Sequence, residues 1–440
     1  MEFLPIIFFI VILFLLLIGY PVAFTLGGAS VVFGFFVFGL DFLNLLPLRI
    51  WGIMSNYVLI AVPLFIFMGV MLEKSGLAEE LLETMALLFG KRKGGLAISV
   101  LVVGAMLGAS TGIVGATVVT MGVLSLPVML KRGYKTETAS GIIMASGTLG
   151  QIIPPSIILV LLGSVLNVPV GDLFIAAIIP GSLLVLLFFL WIVTLTFIKP
   201  KSVPAMPALE LEKFAGAGKA KKIFTAFLLP FLLVLAVLGS IFAGIASPTE
   251  AAAVGALGAL VLTIARGKFN FNSLKEAMVR TTTITSMAFM ILVGAAAFGL
   301  VFRGMGGDRY LSELILSSNM EPHHFLIIVM LVIFIAGFFI DFIEITFIIV
   351  PVVAPIFMQM HIDLLWIDVQ GMELNIFKSL GEKIKRIDYI YTEVSNKEFY
   401  EGSGSYNDIK EYLRKFDFKL IIDDLVEGQM MGNALFKRIN

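Results

Sequence analysis

Ser146-Gly147-Thr148-Leu149-Gly150-Gln151-Ile152-Ile153-Pro154-Pro155-Ser156 interrupts a long apolar region with small residues, hydroxyls and two adjacent prolines. Proline has no backbone N–H, so Pro154 and Pro155 withhold hydrogen-bond donors from the carbonyls one turn back, those of Gly150 and Gln151. In a bilayer such a break survives only where protein or a water-filled cavity re-satisfies the backbone. Unwound carbonyls with Ser and Thr hydroxyls suit a hard monovalent cation such as sodium, and the helix starting after Pro154 points its positive end at an anion. The competing reading is close packing of helices through small residues.

The surroundings are too apolar for a soluble domain. Runs at Phe3–Tyr20, Val58–Leu72, Leu96–Gly108, Leu173–Ile198, Ile223–Ala246, Ala251–Ile264, Ile284–Val301 and Phe325–Val353 include several near the ~20 residues that span a bilayer. Glu2 stands where a signal peptide has basic residues, so residues 1–20 are expected to be an uncleaved first transmembrane helix. Beyond Met360 the chemistry changes. Roughly a tenth of residues 1–360 are charged, against about a third afterwards, and this divides a membrane part from a water-soluble part.

The net charge of zero hides a basic excess on the membrane loops and an acidic excess in the tail. Basic clusters occur at Lys91–Lys93, Lys131–Lys135, Lys199–Lys222 and Arg266–Arg280, and the positive-inside rule draws such loops to the cytoplasm. Because segments are re-entrant, not all four are expected on one side; the last two are, joined by a helical hairpin over 223–265. The absence of cysteine excludes disulfides and thiolate metal sites. No nucleic-acid partner is expected.

The Pro- and Gly-bearing linker 199–222 divides the membrane part into halves that resemble each other. Val62–Gly69 is echoed by Ala288–Gly294, and Gly108–Val128 by Gly337–Ile356, each ending in a Pro-containing triplet. Weak internal symmetry of this kind marks transporters built from repeats. Within Gly108–Gly122, Ser110, Thr111 and Gly112 place hydroxyls and bare backbone in a membrane segment; functional and packing readings are equally open. In the second half Asp341 and Glu344, at i and i+3, are expected on one helix face, where they bind a cation, relay a proton or pair with Arg303. His323 and His324 read as a solvated loop. Ser247-Pro248-Thr249-Glu250 is a capping box with Pro at the first helical position.

Gly147–Ser156, Ser247–Ala252 and Gly337-Phe-Phe-Ile-Asp341 through Pro355 together resemble the large membrane subunit of tripartite ATP-independent periplasmic (TRAP) transporters, the DctM-like family, collinearly over about residues 1–360. The resemblance implies a bacterial inner-membrane, multi-pass subunit and not an enzyme. It implies two partners, a small DctQ-like membrane subunit and a periplasmic solute-binding protein that delivers a small organic anion, with sodium as the coupling ion and an elevator motion. The first-repeat region it implies comprises Ser110, Thr111, Gly112, Gly150, Pro154, Pro155 and Ser156; the residues themselves add Thr148, Gln151, Asp341 and Glu344 as candidate substrate- or ion-binding positions, and Ser110, Gly150 and Ser156 are the candidate sodium ligands. By the repeat offset a second Pro-Pro stretch belongs near residues 380–385, where the chain has Leu380-Gly-Glu-Lys-Ile-Lys385.

The tail carries a second resemblance. Ile367-Asp-Val-Gln-Gly-Met-Glu373, within a buried strand (364–369), Gly turn and helix start read over 362–373, with further strands at 387–394, 418–422 and 434–439 and a helix at 406–416, is similar to the C-terminal half of FkbM-type methyltransferases. The glycine-rich cofactor loop is absent, so S-adenosylmethionine is not expected as a cofactor. Ile362–Trp366 fits both families, as a junction made by recombination or misjoining would. The expected fold is an all-α polytopic membrane protein with inverted repeats and re-entrant hairpins, the second repeat truncated, followed by an α/β half-Rossmann fragment. The expected domains are 1–198, linker 199–222, 223–360 and 361–440.

Overall fold

A computed structural model describes residues 3–111, 114–206, 227–318, 320, 322–340, 342–360, 362–367, 373–395, 404–423 and 431–439. They fall into two compact units, one of residues 11–301 with 341–347, the other of 1–10, 302–340 and 348–440. Four helical spans, Tyr57–Lys74, Val170–Ile198, Pro248–Ala265 and Phe271–Gly304, are long and apolar enough to cross a membrane.

In the larger unit the first helices are α1 (Leu4–Leu17, which begins in the smaller unit), α2 (Val22–Phe38) and α3 (Asp41–Met54). A 3-10 turn leads into α4 (Ala61–Lys74), followed by the short α5 (Leu77–Phe89). The arms α6 (Gly95–Thr111) and α7 (Val114–Lys131) follow, then α8 (Thr136–Thr148), α9 (Ile157–Leu166) and α10 (Val170–Ile198). After the linker come α11 (Leu229–Phe242), α12 (Pro248–Ala265) and α13 (Phe271–Gly304). The capping box at α12 is formed: Glu250 N–H donates to Ser247 Oγ at 3.3 Å, and Ser247 N–H donates to Glu250 Oε2 at 2.8 Å. Buried side chains form two cores. One joins α4, α9, the start of α10, α11, α12 and α13 around Phe65, Ile66, Val160 and Phe174; the other joins α5, α6, α7, α8 and the later part of α10 around Ala97, Val100, Met121 and Leu149.

Helices α4 and α12 run parallel. Thr249 Oγ1 donates to the Tyr57 carbonyl and Thr263 Oγ1 to the Met71 carbonyl, each at 3.4 Å, while a side chain at Gly255 would meet Met68 Sδ at 2.6 Å. At their shared end, charges join α4 and α5 to α12 and α13. Arg280 Nη1 donates to both carboxylate oxygens of Glu73, at 3.1 and 3.0 Å, Lys74 Nζ meets Glu276 at 2.5 Å, and Arg266 pairs with Glu80.

Here the structure corrects the expectation about the basic loops. Gly94 N–H bonds the Val203 carbonyl and Met206 N–H the Gly90 carbonyl, both at 2.9 Å, and Gly133 sits against Pro204. The clusters at 91–93, 131–135 and 199–201 therefore lie together. The 13 residues of α5, about 20 Å long, are too short to cross a ~30 Å hydrocarbon core, so the ion-paired loop at 266–280 shares their side. Re-entry is the reason rather than the obstacle, because α6 and α7 return the chain to the side it left.

The smaller unit holds α14 (Gly307–Ser317), α15 (Pro322–Ala336) and α17 (Val350–Met360); α16 (Phe342–Ile348) belongs mostly to the larger unit. The apolar run at 325–353 is thus interrupted after Ala336, and His323 and His324 lie exposed in the first turn of α15, not in a loop. Helix limits in the two halves correspond at an offset of about 225–230 residues: α5 starts at Leu77 and α14 at Gly307, α6 at Gly95 and α15 at Pro322, while α7 ends at Lys131 and α17 at Met360.

The tail forms a four-stranded mixed sheet in the order β1 (Ile362–Ile367), β2 (Ile387–Ser395), β4 (Met431–Arg438), β3 (Phe418–Asp423). Strands β1 and β2 are parallel, connected through α18 (Glu373–Leu380); β4 is antiparallel to both neighbours. Phe377, Ile387, Ile390, Leu413 and Phe436 fill its core with α19 (Tyr406–Arg414), whose Ser405–Asp408 capping box is complete.

Removing one partner of the Glu73–Arg280 pair leaves the other charge half-buried and unmatched. Glu73→Gln and Arg280→Gln are each expected to lower the thermal midpoint of the detergent-solubilised protein. The double variant should lose less than the sum, by about 1 kcal/mol. Strict additivity in this double-mutant cycle would show that the pair contributes nothing.

Candidate functional site

The break between α8 and α9 is where the sequence places it. Thr148 ends α8, a 3-10 turn covers Leu149–Gln151, and α9 resumes at Ile157. The Leu149 carbonyl takes the amides of Ile152 and Ile153 at 3.1 and 3.0 Å. The Gly150 and Gln151 carbonyls would ordinarily accept from residues 154 and 155, both prolines, whose shared peptide bond is cis. Ser156 Oγ reaches back to the Gln151 carbonyl at 2.5 Å, standing in for one missing donor. Gly150, Pro154, Pro155 and Ser156 are buried, Gln151 is half-buried, and the Gln151 side-chain nitrogen has no hydrogen-bond partner among the described residues.

What holds this opened segment is contact between bare backbones. A Cβ on Gly150 would lie 2.0 Å from Gly108 Cα, and one on Gly108 would lie 2.4 Å from Gly150 Cα, so α6 touches the break where both residues lack side chains. The same seam continues up α8. A Cβ on Gly104 would meet Ser146 Cβ at 2.6 Å, and one on Gly147 would meet Val118 of α7 at 2.4 Å. Both arms therefore grip α8 through glycines.

The predicted residues divide on inspection. Gly150, Gln151, Pro154, Pro155 and Ser156 form one site. Thr148 is outside it, exposed, with its hydroxyl donated to the Ala145 carbonyl of its own helix at 2.9 Å. Ser110 and Thr111 lie in the last turn of α6, adjoining the site along the chain, but their side chains, and Gly112 altogether, are outside the described residues. Asp341 is also outside them; Glu344 is half-buried on α16, which starts only at Phe342, so the shared helix face expected for the two carboxylates is not part of the described structure. Arg303 pairs with Asp308 at 3.2 Å.

Sequence reasoning missed Glu73. Besides Arg280, its carboxylate accepts from Thr120 Oγ1 of α7 at 3.0 Å, tying the second hairpin arm to α4 and α13. The available signal was a carboxylate at the very end of an apolar run, with Thr120 inside the polar stretch Gly108–Gly122. The outer side of Pro154 borders a cavity of about 220 Å³ between α4, α5, α6 and α11. Leu72, Leu107, Phe231 and Leu235 among others make its wall apolar, which disqualifies it as a seat for an ion.

A helix broken at two prolines and packed against α6 and α7, in a body whose described residues include four helices long and apolar enough to cross a membrane, is that of a multi-pass membrane protein. The fold matches the crystal structure of the Alcanivorax borkumensis YdaH transporter at a TM-score of 0.53 and 16% identity, covering 80% of this chain and 83% of that one. Residues 9–373 match the family described as tripartite ATP-independent periplasmic transporter, DctM component, and the chain belongs to that family. It is 31% identical over 338 residues to the C4-dicarboxylate TRAP transporter large permease protein DctM of Pseudomonas aeruginosa, covering 76% of this chain and 77% of the relative. It is also 31% identical to the ectoine/5-hydroxyectoine TRAP transporter large permease protein UehC of Ruegeria pomeroyi, covering 81% and 82%. The family is a transporter component and not an enzyme. Residues 340–420 also match the methyltransferase FkbM domain, overlapping the transporter match over 340–373.

The glycine seam yields a direct test. Gly108→Ala and Gly150→Ala force two backbones apart and are each expected to destabilise the purified protein by about 1–3 kcal/mol. Gly122→Ala, where a Cβ meets nothing within 4 Å, should be neutral in the same thermal-unfolding measurement. Equal effects at all three positions would show that close approach is not the constraint.

Proposed function

We propose that this TRAP large permease subunit takes up a carboxylate-class organic anion together with sodium, in a bacterial inner membrane, with a small DctQ-like membrane subunit and a periplasmic solute-binding protein as partners. The observation that carries the reading is the opened segment 149–156. Two prolines withhold the ordinary helical donors from two carbonyls, and Ser156 answers that of Gln151. Gly150 O, with Ser110 and Ser156 hydroxyls, supplies the hard oxygen ligands a sodium ion requires, while Gln151 and the N-terminal end of α9 face the anion. Thr111, Gly112, Pro154 and Pro155 shape the same region, Thr148 stands at its edge, and Asp341 and Glu344 are assigned to the corresponding region of the second half. The correspondence of helix limits supports an inverted-repeat reading of 1–198 and 223–360 about the linker 199–222. Relatives named for C4-dicarboxylates, ectoine and sialic acid leave the anion open within that class.

The tail qualifies this reading. Where the repeat calls for a second Pro-Pro hairpin arm, residues 362–438 form a water-soluble type of sheet, and the chain has no proline after Pro355. The overlap of the two family matches at 340–373 supports a junction between transporter and methyltransferase sequences. We therefore assign residues 361–440 as an FkbM-like fragment without S-adenosylmethionine chemistry of its own, and expect transport by the chain as it stands to be impaired. Measurable S-adenosylmethionine binding by the full chain would overturn that assignment.

Both parts are tested in proteoliposomes containing the two partner proteins. Replacing residues 361–440 with the corresponding C-terminal stretch of the Pseudomonas relative is expected to raise sodium-driven uptake well above that of the unmodified chain. In the grafted protein, Ser110→Ala combined with Ser156→Ala should raise the sodium concentration for half-maximal uptake about tenfold, the loss of roughly 1.4 kcal/mol of ion binding. Unchanged sodium dependence would remove these hydroxyls from the mechanism.

A further inference from the structure

A second concavity lies away from the broken helix, between α8 and the end of α10. It is an open groove of about 370 Å³, with Gly141 and Ile142 on one side and Phe188, Trp191 and Leu195 on the other. Its volume falls in the range of small-molecule sites, about 300–1,000 Å³. Two charges of opposite sign line it, Glu137 in the first turn of α8 and Lys199 just past the last residue of α10. Both are exposed, and neither makes a side-chain hydrogen bond or ion pair among the described residues. Glu137 suits a helix N-terminus on general grounds, but that preference does not account for a lysine on the facing helix.

The placement of the groove identifies its occupant. Lys199 follows 29 residues of apolar helix, so the charged pair stands where the hydrocarbon core ends. Trp191, 60% exposed, lies two turns further in, and aromatic rings of this kind sit near the membrane–water boundary. Apart from Thr138, next to Glu137 at the charged end, the remainder of the trough is aliphatic and aromatic. A ligand must therefore be apolar along its length and carry both a cation and an anion at one end.

We propose that this groove is a specific site for a zwitterionic phospholipid bearing a primary amine, phosphatidylethanolamine in chemistry. The phosphate accepts from Lys199, the ammonium donates to Glu137, and an acyl chain lies over Gly141 between Phe188 and Leu195. The glycine leaves room for it, since a Cβ at position 141 would meet nothing within 4 Å. The site differs from the generic basic pockets that hold anionic headgroups, because an anionic lipid presents no cation to Glu137. A quaternary ammonium headgroup offers the charge but no N–H.

The test is native mass spectrometry of the full chain taken from vesicles containing equal amounts of phosphatidylethanolamine, phosphatidylcholine and phosphatidylglycerol. The wild-type protein is expected to retain phosphatidylethanolamine about tenfold over phosphatidylglycerol, with phosphatidylcholine between them. Glu137→Gln should abolish the preference for the primary amine over the quaternary one, and Lys199→Gln should lower retention of all three together. Both residues are exposed, so neither substitution threatens folding. Gly141→Phe fills the trough and should eliminate retention. Equal retention of the three lipids by the wild-type protein, preference for phosphatidylglycerol, or a Glu137→Gln variant with an unchanged profile would overturn the proposal. So would a photoreactive side chain at position 141 that captures the small membrane subunit instead of lipid.

Discussion

Every feature of the larger unit's site depends on one constraint, the obligation of each backbone carbonyl in an apolar medium to find a donor. Pro154 and Pro155 break that rule twice in succession. The structure answers in three ways. Ser156 donates its hydroxyl to one carbonyl, the 3-10 turn redirects two amides onto Leu149, and α6 is pressed against the gap so closely that only glycine fits at 108 and 150. An ordinary helix at this position would bond those carbonyls within itself and need none of these answers.

Much of this was legible from residue types, and the reasons are specific. Tandem prolines and glycines have few structural meanings in a membrane segment, so 149–156 could be located from the chain alone. The capping box at Ser247 is a local pattern whose partners lie three residues apart, and it formed as read. Long-range pairing was not legible. Glu73 and Arg280 are 207 residues apart and each looks like an ordinary loop charge; only the packing of α4 beside α12 and α13 brings them together. The rotamer of Thr148, whose hydroxyl bonds the Ala145 carbonyl three residues back, was likewise not legible. The basic loops were misread because a hairpin that returns to its own side reverses the usual alternation of loop charge.

The tail shows why composition divides the chain so clearly. Its core of Phe377, Ile390, Leu413 and Phe436 is that of a small α/β sheet, Glu373 is the one charged residue buried among the described ones, and burying the tail's roughly two dozen charges in lipid at ~2.5–3.5 kcal/mol each is prohibitive. Among the described residues, strand β1 stands at one edge of that sheet and pairs on one side only, with β2. In a complete doubly wound sheet such a strand has neighbours on both sides. An unpaired edge is a template for adventitious strand addition, so the sheet's own geometry favours self-association outside the membrane.

Helices α4 and α12 have a different significance. Two threonine-to-carbonyl bonds lie at the same 192-residue separation, one near the start of the pair and one near its end, and three ion pairs close the far end. Axial slippage by one residue, ~1.5 Å, would stretch both bonds beyond hydrogen-bond range at once. The pair is thus a fixed ruler laid across the bilayer. Whatever part of the larger unit travels during a transport cycle must be measured against it, and the first tie such travel would have to cut is the single hydroxyl of Thr120 resting on Glu73.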